Sequence, residues 1–111
     1  MGKSTGCGSG QCLDLTDAAN SNLTTIGGAL LLDFGGDTVM VVRTSDTTVV
    51  ALSAICTHAG CTMDYDSGAH ELACPCHGSM FSLTGQVVSG PAQSAVKVYN
   101  AALANNVITV S

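Results

Sequence analysis

The stretches CTHAGC at residues 56–61 and CPCHGS at residues 74–79 carry the strongest signal in this chain. Each stretch places a cysteine and a histidine close together and adds a further cysteine. Two thiolates and two imidazoles suit either a tetrahedral zinc ion or one iron–sulfur cluster. Residue types and spacing alone leave both centres open, and they also leave open a framework made only of disulfides. The four candidate ligands are Cys56, His58, Cys74 and His77.

Both stretches lie between segments that are typical of β-strands. From Ile26 onward, short runs rich in Val, Leu and Thr alternate with turn signals such as Ser45-Asp46 and Asn105-Asn106. No ten-residue segment has a helical period, and residues 101–104 would form one helical turn at most. The sequence therefore predicts a small all-β domain, a barrel or stacked sheets, with both loops at one end. The expected strands are roughly 29–34, 38–44, 47–54, 69–73, 80–83, 86–88, 95–100 and 106–110.

Composition excludes several classes of function. The 111 residues suit one domain, and 10% charged residues indicate a folded chain. Three Lys and Arg against eight Asp and Glu give a net charge of −5, so no basic patch exists for nucleic acid. The longest apolar run, Ala29 to Leu32, is far too short for a membrane span. Residues 1–12 are rich in Gly and Ser and are expected to be a flexible tail before a domain over 13–111.

The paired motifs closely resemble those of the Rieske iron–sulfur family, in particular its disulfide-bearing, high-potential branch found in cytochrome bc complexes and related soluble proteins. About residues 26–110 share the resemblance. Residues 81–88 look like the hairpin after the second loop, and Gly90-Pro91-Ala92 look like the start of the family's proline loop. The resemblance implies the Rieske fold, in which antiparallel sheets form a base domain. A small cluster-binding subdomain of two loops, about residues 55–82, would be inserted in it.

The resemblance also implies a role for each motif residue. One 2Fe–2S cluster would be held by two cysteines on one iron and two histidines on the other. Neutral imidazoles make such a cluster less negative than four thiolates do, so it accepts an electron more readily. The cluster would cycle between diferric and mixed-valence states, with coupled loss of a proton from the histidines. The implied iron ligands are Cys56, Cys74, His58 and His77, and the implied disulfide joins Cys61 and Cys76.

Four positions near the motifs are expected to tune the site. Ser79 stands where the family places a serine whose hydroxyl donates to a cluster sulfur. Phe81 stands where the highest-potential members carry a tyrosine donor, so its missing hydroxyl predicts a lower potential. Ala59 replaces the leucine usual in quinol-oxidising members, which argues against direct quinol binding. Gln93 replaces a second proline in the proline loop and predicts a softer loop.

The resemblance implies an electron carrier that is not an enzyme by itself. Its partner would be a redox protein such as a cytochrome or a larger oxidoreductase subunit. An alternative is the trimmed Rieske subunit of a membrane-bound, quinol-oxidising cytochrome bc-type complex. A second alternative is a Rieske ferredoxin that serves an oxygenase, although those relatives lack the disulfide pair and the serine at Ser79.

The cysteine content indicates where the protein works. Disulfides persist in oxidising compartments, so the implied Cys61–Cys76 pair favours a periplasmic or extracytoplasmic location. No apolar segment of the signal-peptide type follows Lys3, and a mature or trimmed chain would account for this. A zinc site would need neither the Cys61–Cys76 pair nor Ser79, which favours the cluster over zinc.

Overall fold

The computed structural model describes residues 1–57 and 60–111. Within these residues the chain forms twelve β-strands and one short 3-10 helix, Ala18–Thr24. The strands are β1 Thr5–Cys7, β2 Gly10–Asp14, β3 Ala29–Phe34, β4 Asp37–Arg43, β5 Val49–Ser53, β6 Asp64–Asp66, β7 Glu71–Ala73, β8 Met80–Ser82, β9 Val87–Ser89, β10 Val98–Tyr99, β11 Ala101–Ala104 and β12 Val107–Val110.

The strands form three antiparallel sheets of four strands each. Sheet A has the order β1-β2-β12-β11, sheet B the order β10-β5-β4-β3, and sheet C the order β6-β7-β8-β9. The first motif follows β5 of sheet B, and the second follows β7 of sheet C. The all-β prediction is confirmed, and the two motifs enter the site from different sheets.

Strand β4 is buried on both faces because sheet B is the middle layer. Successive side chains of a strand point to opposite faces. Val39 and Val41 therefore join one core cluster, while Met40 and Val42 join the other. The cluster shared with sheet A consists of Leu13, Leu15, Leu23, Leu32, Val39, Val41, Val49, Ala51, Ile108 and Val110. The cluster shared with sheet C consists of Met40, Val42, Leu52, Ala54, Cys56, Met63, Leu72, Cys74, Phe81, Ala92 and Val96.

The first residues differ from the expected flexible tail over 1–12. Residues 5–7 and 10–14 form the hairpin β1–β2, and β2 pairs with β12 from Gln11 to Asp14. The Cys7–Cys12 disulfide closes the hairpin, and Leu13 is fully buried. Pairing with the edge of β12 and burial of Leu13 thus order a segment whose Gly/Ser composition predicts flexibility.

Residues 101–104 form a strand rather than the helical turn that the sequence allowed. They pair with β12 through the two-residue turn Asn105-Asn106, whose φ angles are 52° and 60°. Positive φ at both central positions is the requirement of a type I′ hairpin turn, which matches the twist of the flanking strands. The turn chemistry of Asn105-Asn106 therefore decides the conformation of the alanine-rich segment before it.

A partly buried polar network ties three strands of sheet B together. The Tyr99 hydroxyl donates to Asp37 Oδ2 at 2.6 Å, and the Ser53 hydroxyl donates to Asp37 Oδ1 at 3.0 Å. Ser53 Oγ in turn accepts the backbone N–H of Ile55, at the point where the chain leaves β5 for the first motif. Burial, together with the hydrogen bond to the Asp37 carboxylate, raises the pKa of Tyr99 to about 12.

The raised pKa of Tyr99 makes the free energy of unfolding depend on pH between about 10 and 12. An unfolded tyrosine ionises near pH 10, whereas folded Tyr99 stays protonated up to about pH 12. The stabilisation is therefore fully present below pH 10 and is lost as the pH rises towards 12. We expect the urea midpoint of Tyr99→Phe to fall less between pH 10 and 12 than that of the wild type. Tyr65→Phe leaves Asp37 untouched, so its urea midpoint should decrease as much as that of the wild type. Equal decreases of the urea midpoint in all three proteins would contradict the prediction.

Candidate metal centre

The first motif forms a closed loop after β5. The N–H of Cys56 donates to the carbonyl of Cys61 at 2.9 Å, and the N–H of Gly60 donates back to the carbonyl of Cys56 at 2.9 Å. An antiparallel bridge between Ile55 and Thr62 joins the two ends of the loop. These bonds fix the backbone of Cys56 at the base of the loop.

The second motif repeats the same hydrogen-bond pattern. The N–H of Cys74 donates to the carbonyl of Ser79 at 2.8 Å, and the N–H of Gly78 donates to the carbonyl of Cys74 at 3.1 Å. Strands β7 and β8 continue from the two ends. Cys56 and Cys74 thus occupy equivalent positions in two loops of equal size.

Both equivalent cysteines are buried in one apolar environment. Cys56 and Cys74 are each 2% exposed and belong to the core cluster that also contains Met63, Leu72 and Phe81. Neither cysteine takes part in a disulfide. Two thiols are therefore held at the inner end of the loops, shielded from water.

The structure contains the Cys61–Cys76 disulfide that the family resemblance implied. It joins the two loops, with 6.5 Å between the Cα atoms and 15 residues of sequence separation. A bridge that closes a loop of this length contributes about 3 kcal/mol in the chain-entropy model. Cys74 Sγ lies within 4.8 Å of both bridged sulfurs. Because Cys61 and Cys76 are bonded to each other, they are not available as metal ligands in this state.

Of the three histidines, His70 and His77 lie within the described residues. His77 lies in the exposed turn after Cys76, at the outer end of the second loop. His58 and Ala59, predicted as a ligand and as the residue that disfavours quinol, lie outside the described residues. His70 is an exposed turn residue whose Nδ1 lies 3.4 Å from the Tyr65 hydroxyl, in agreement with its interpretation as a surface residue.

Two predicted tuning residues lie behind the loops. Ser79 is fully buried, and its Oγ accepts the backbone N–H of Ala92 at 3.1 Å. A hydroxyl that accepts this bond still has its own hydrogen to donate. Phe81 is also fully buried, in the same apolar cluster as Cys56 and Cys74. The ring therefore contributes apolar cover and no hydrogen-bond donor.

A third loop, residues 90–94, contacts both motifs. The Thr57 hydroxyl donates to the carbonyl of Ser94 at 2.7 Å, and Ala92 donates to Ser79 as described above. Gly90 packs so closely that an added Cβ would lie 2.5 Å from Ser79 Cα. Sequence reasoning missed the role of Thr57, since no local signal connects residues 37 positions apart.

These observations fit a metal–sulfur group between the loops. The side chains present suit the binding of such a group, since two buried thiols face an apolar environment and an imidazole lies at the exposed end. Such features define the class of small all-β metalloproteins whose centre is held between two loops. The model of the Rieske [2Fe-2S] domain family matches residues 15–100, and the chain therefore belongs to this family. It carries one Rieske-type 2Fe–2S cluster.

The chain is similar to iron-sulfur subunits of cytochrome b6-f complexes. It is 36% identical over 85 residues to the cytochrome b6-f complex iron-sulfur subunit of Synechococcus sp. strain WH7803, covering 75% of this chain and 48% of the relative. It is 38% identical over 81 residues to the corresponding subunit of Chlorobaculum tepidum, covering 73% and 44%. The chain thus spans about half the length of these curated relatives.

Solved structures with different roles share the fold. The plasma membrane Rieske protein of Synechocystis PCC 6803 matches with a TM-score of 0.70 and 27% identity, covering 88% of this chain and 94% of that one. The ferredoxin of carbazole 1,9a-dioxygenase from Nocardioides aromaticivorans IC177 matches with a TM-score of 0.69 and 30% identity, covering 78% and 86%. Within the described residues, no helix has the length and apolar character needed to cross a bilayer.

The close packing of Gly90 gives a test of how the third loop supports the site. Gly90 has φ of 91°, and Gly36 has a similar φ of 87° with no atom near its added Cβ. We expect Gly36→Ala to lower the free energy of unfolding by about 1–2 kcal/mol through backbone strain alone. Gly90→Ala should cost about 1–3 kcal/mol more, because the loop must move away from Ser79. Urea denaturation measures both, and equal losses would contradict this role for Gly90.

Proposed function

We propose that this chain is an electron-transfer protein in which the cluster is bound by two cysteines and two histidines. The observation that carries the proposal is the placement of two buried cysteines at equivalent positions in two disulfide-linked loops. One iron would be bound by Cys56 and Cys74, and the other by His58 and His77. When bound, the cluster supplies one-electron storage between its diferric and mixed-valence states.

The surrounding residues would give the site an inner and an outer side. The apolar cluster around Cys56 and Cys74 excludes water from the thiolate side. His77 lies at the exposed end, so its ring would give electrons a path to a partner. The second ring nitrogen of His77 would release a proton to solvent as the site is oxidised. Ser79 would donate its hydroxyl hydrogen to a cluster sulfur, since its oxygen already accepts from Ala92.

The partner would be another redox protein, and the chain would not act as an enzyme alone. The iron–sulfur subunits to which it is similar belong to cytochrome b6-f complexes, which supports a cytochrome or a larger oxidoreductase as partner. The two disulfides support an extracytoplasmic location. The division into a base domain and a cluster-binding subdomain, about residues 55–82, is part of this proposal.

The likeness to complex subunits favours a second candidate, the Rieske domain of a membrane-bound, quinol-oxidising complex. The ferredoxin alternative is supported by the fold shared with the dioxygenase ferredoxin. The Cys61–Cys76 disulfide and the buried Ser79 speak against that alternative, because the resemblance places both features in the high-potential branch.

Metal analysis and spectroscopy test the ligand assignment. We expect about two irons per chain in the wild type, and loss of the cluster's visible absorption in Cys56→Ser, Cys74→Ser and His77→Ala. His70→Ala is the matched control, since His70 is exposed and should leave the spectrum unchanged. Bound zinc without visible absorption, or a spectrum that depends on His70, would contradict the assignment.

The potential of the site should respond to a donor at position 81. Phe81→Tyr would place a hydroxyl near the cysteine sulfurs in an environment now without that donor. A hydrogen bond that is stronger by about 1 kcal/mol in the reduced state raises a one-electron potential by about 40 mV. Redox titration should show this rise for Phe81→Tyr and none for Phe34→Tyr, whose ring packs on Tyr99 in sheet B. An unchanged or lower potential in Phe81→Tyr would contradict the expected tuning.

A further inference from the structure

We propose that Cys61, Cys74 and Cys76 form an intramolecular thiol–disulfide exchange centre that is active when the chain holds no cluster. The three sulfurs lie within 4.8 Å of one another, and only two of them are bonded. Cys74 thus places a thiol beside a disulfide without any unfolding. The proposal rests on the proposed function in one respect, since it takes Cys74 to be bound to iron in the loaded protein.

The geometry favours one product. Cys76 is exposed, whereas Cys61 is half-buried and Cys74 is 2% exposed. A leaving sulfur is stabilised by water, so Cys76 is the better leaving group and Cys61 the sulfur that is attacked. Direct bonding of Cys74 to Cys76 would also close a small ring through Pro75, whose φ is restricted. The expected product therefore joins Cys61 to Cys74 and leaves Cys76 as an exposed thiol.

The step conserves atoms and electrons. Cys74 loses its proton to water, and its sulfur forms a bond to Cys61 Sγ. The Cys61–Cys76 bond breaks, and its electron pair moves to Cys76 Sγ, which then takes up a proton. One disulfide exists before the step and one after it, so no external oxidant or reductant is required.

The exchange would occur in chains without the cluster and would not occur in chains that hold it. A Cys74 sulfur bound to iron cannot attack, so the loaded protein keeps the Cys61–Cys76 bridge. In the empty chain the exchange places Cys74 in a disulfide, and the site loses one of its two cysteine ligands until the Cys76 sulfur attacks Cys61 and reverses the step. A cluster in place therefore protects the Cys61–Cys76 bridge from attack by Cys74.

Two cluster-deficient variants test the proposal. Cys56→Ala removes one proposed ligand and keeps the attacking thiol, whereas Cys74→Ala removes a ligand together with that thiol. Both proteins are incubated without reductant, exposed thiols are alkylated, and the disulfides are mapped by mass spectrometry. We expect Cys56→Ala to convert to the Cys61–Cys74 linkage with alkylated Cys76 within hours, the range of uncatalysed reshuffling. We expect Cys74→Ala to keep Cys61–Cys76.

The Cys7–Cys12 bridge in sheet A serves as an internal control. It should stay intact in both variants, which shows that exchange occurs in the folded chain. An unchanged Cys61–Cys76 bridge in Cys56→Ala would overturn the proposal, as would exchange that involves Cys7 or Cys12 as often as Cys76. The result in Cys56→Ala does not depend on cluster binding. Failure of the proposed function would instead appear as a wild type without the Rieske spectrum.

Discussion

The site depends on holding together two loops that leave different sheets. The first loop follows β5 of sheet B and the second follows β7 of sheet C. Among the described residues, the Cys61–Cys76 disulfide and the shared apolar cluster around Cys56 and Cys74 connect the loops, and each loop closes backbone hydrogen bonds internally. The covalent bridge lies on the outer side, while the apolar cluster with Cys56 and Cys74 lies on the inner side.

Sheet B supports this arrangement through polar contacts near the point where the first loop begins. Asp37 accepts from Tyr99 and Ser53, and Ser53 accepts from Ile55, immediately before Cys56. Residues 90–94 form hydrogen bonds with both loops, at Ser79 and at Thr57. Each of the two loops is thus anchored twice, once to the sheet that it leaves and once to a neighbouring segment. A rigid frame of this kind limits the movement that a change of charge at the site would cause.

Local patterns were enough to predict much of the fold. Strands 29–34 and 107–110 show clear β-type runs, and Asn105-Asn106 carries the chemistry of a hairpin turn. The pairing of residues 11–14 with β12 was missed, because its stability comes from an edge almost one hundred residues away. The motifs identified the kind of site, but zinc and iron–sulfur chemistry share the same donors, and only the family match decides between them. The contact from Thr57 to Ser94 has no local signature at all.

Similarity of fold does not select a partner for this protein. Its backbone matches a plasma membrane Rieske protein and a dioxygenase ferredoxin almost equally well. What differs between such proteins must therefore be sought in the loops rather than in the sheets. In this chain the two loops and the adjoining strand β8 combine a covalent bridge, a buried serine hydroxyl and a phenylalanine without a donor. Under the proposed assignment, the Ser79 hydroxyl would raise the potential by donating to a cluster sulfur, whereas Phe81 would leave the cluster without the further donor that a tyrosine would supply there.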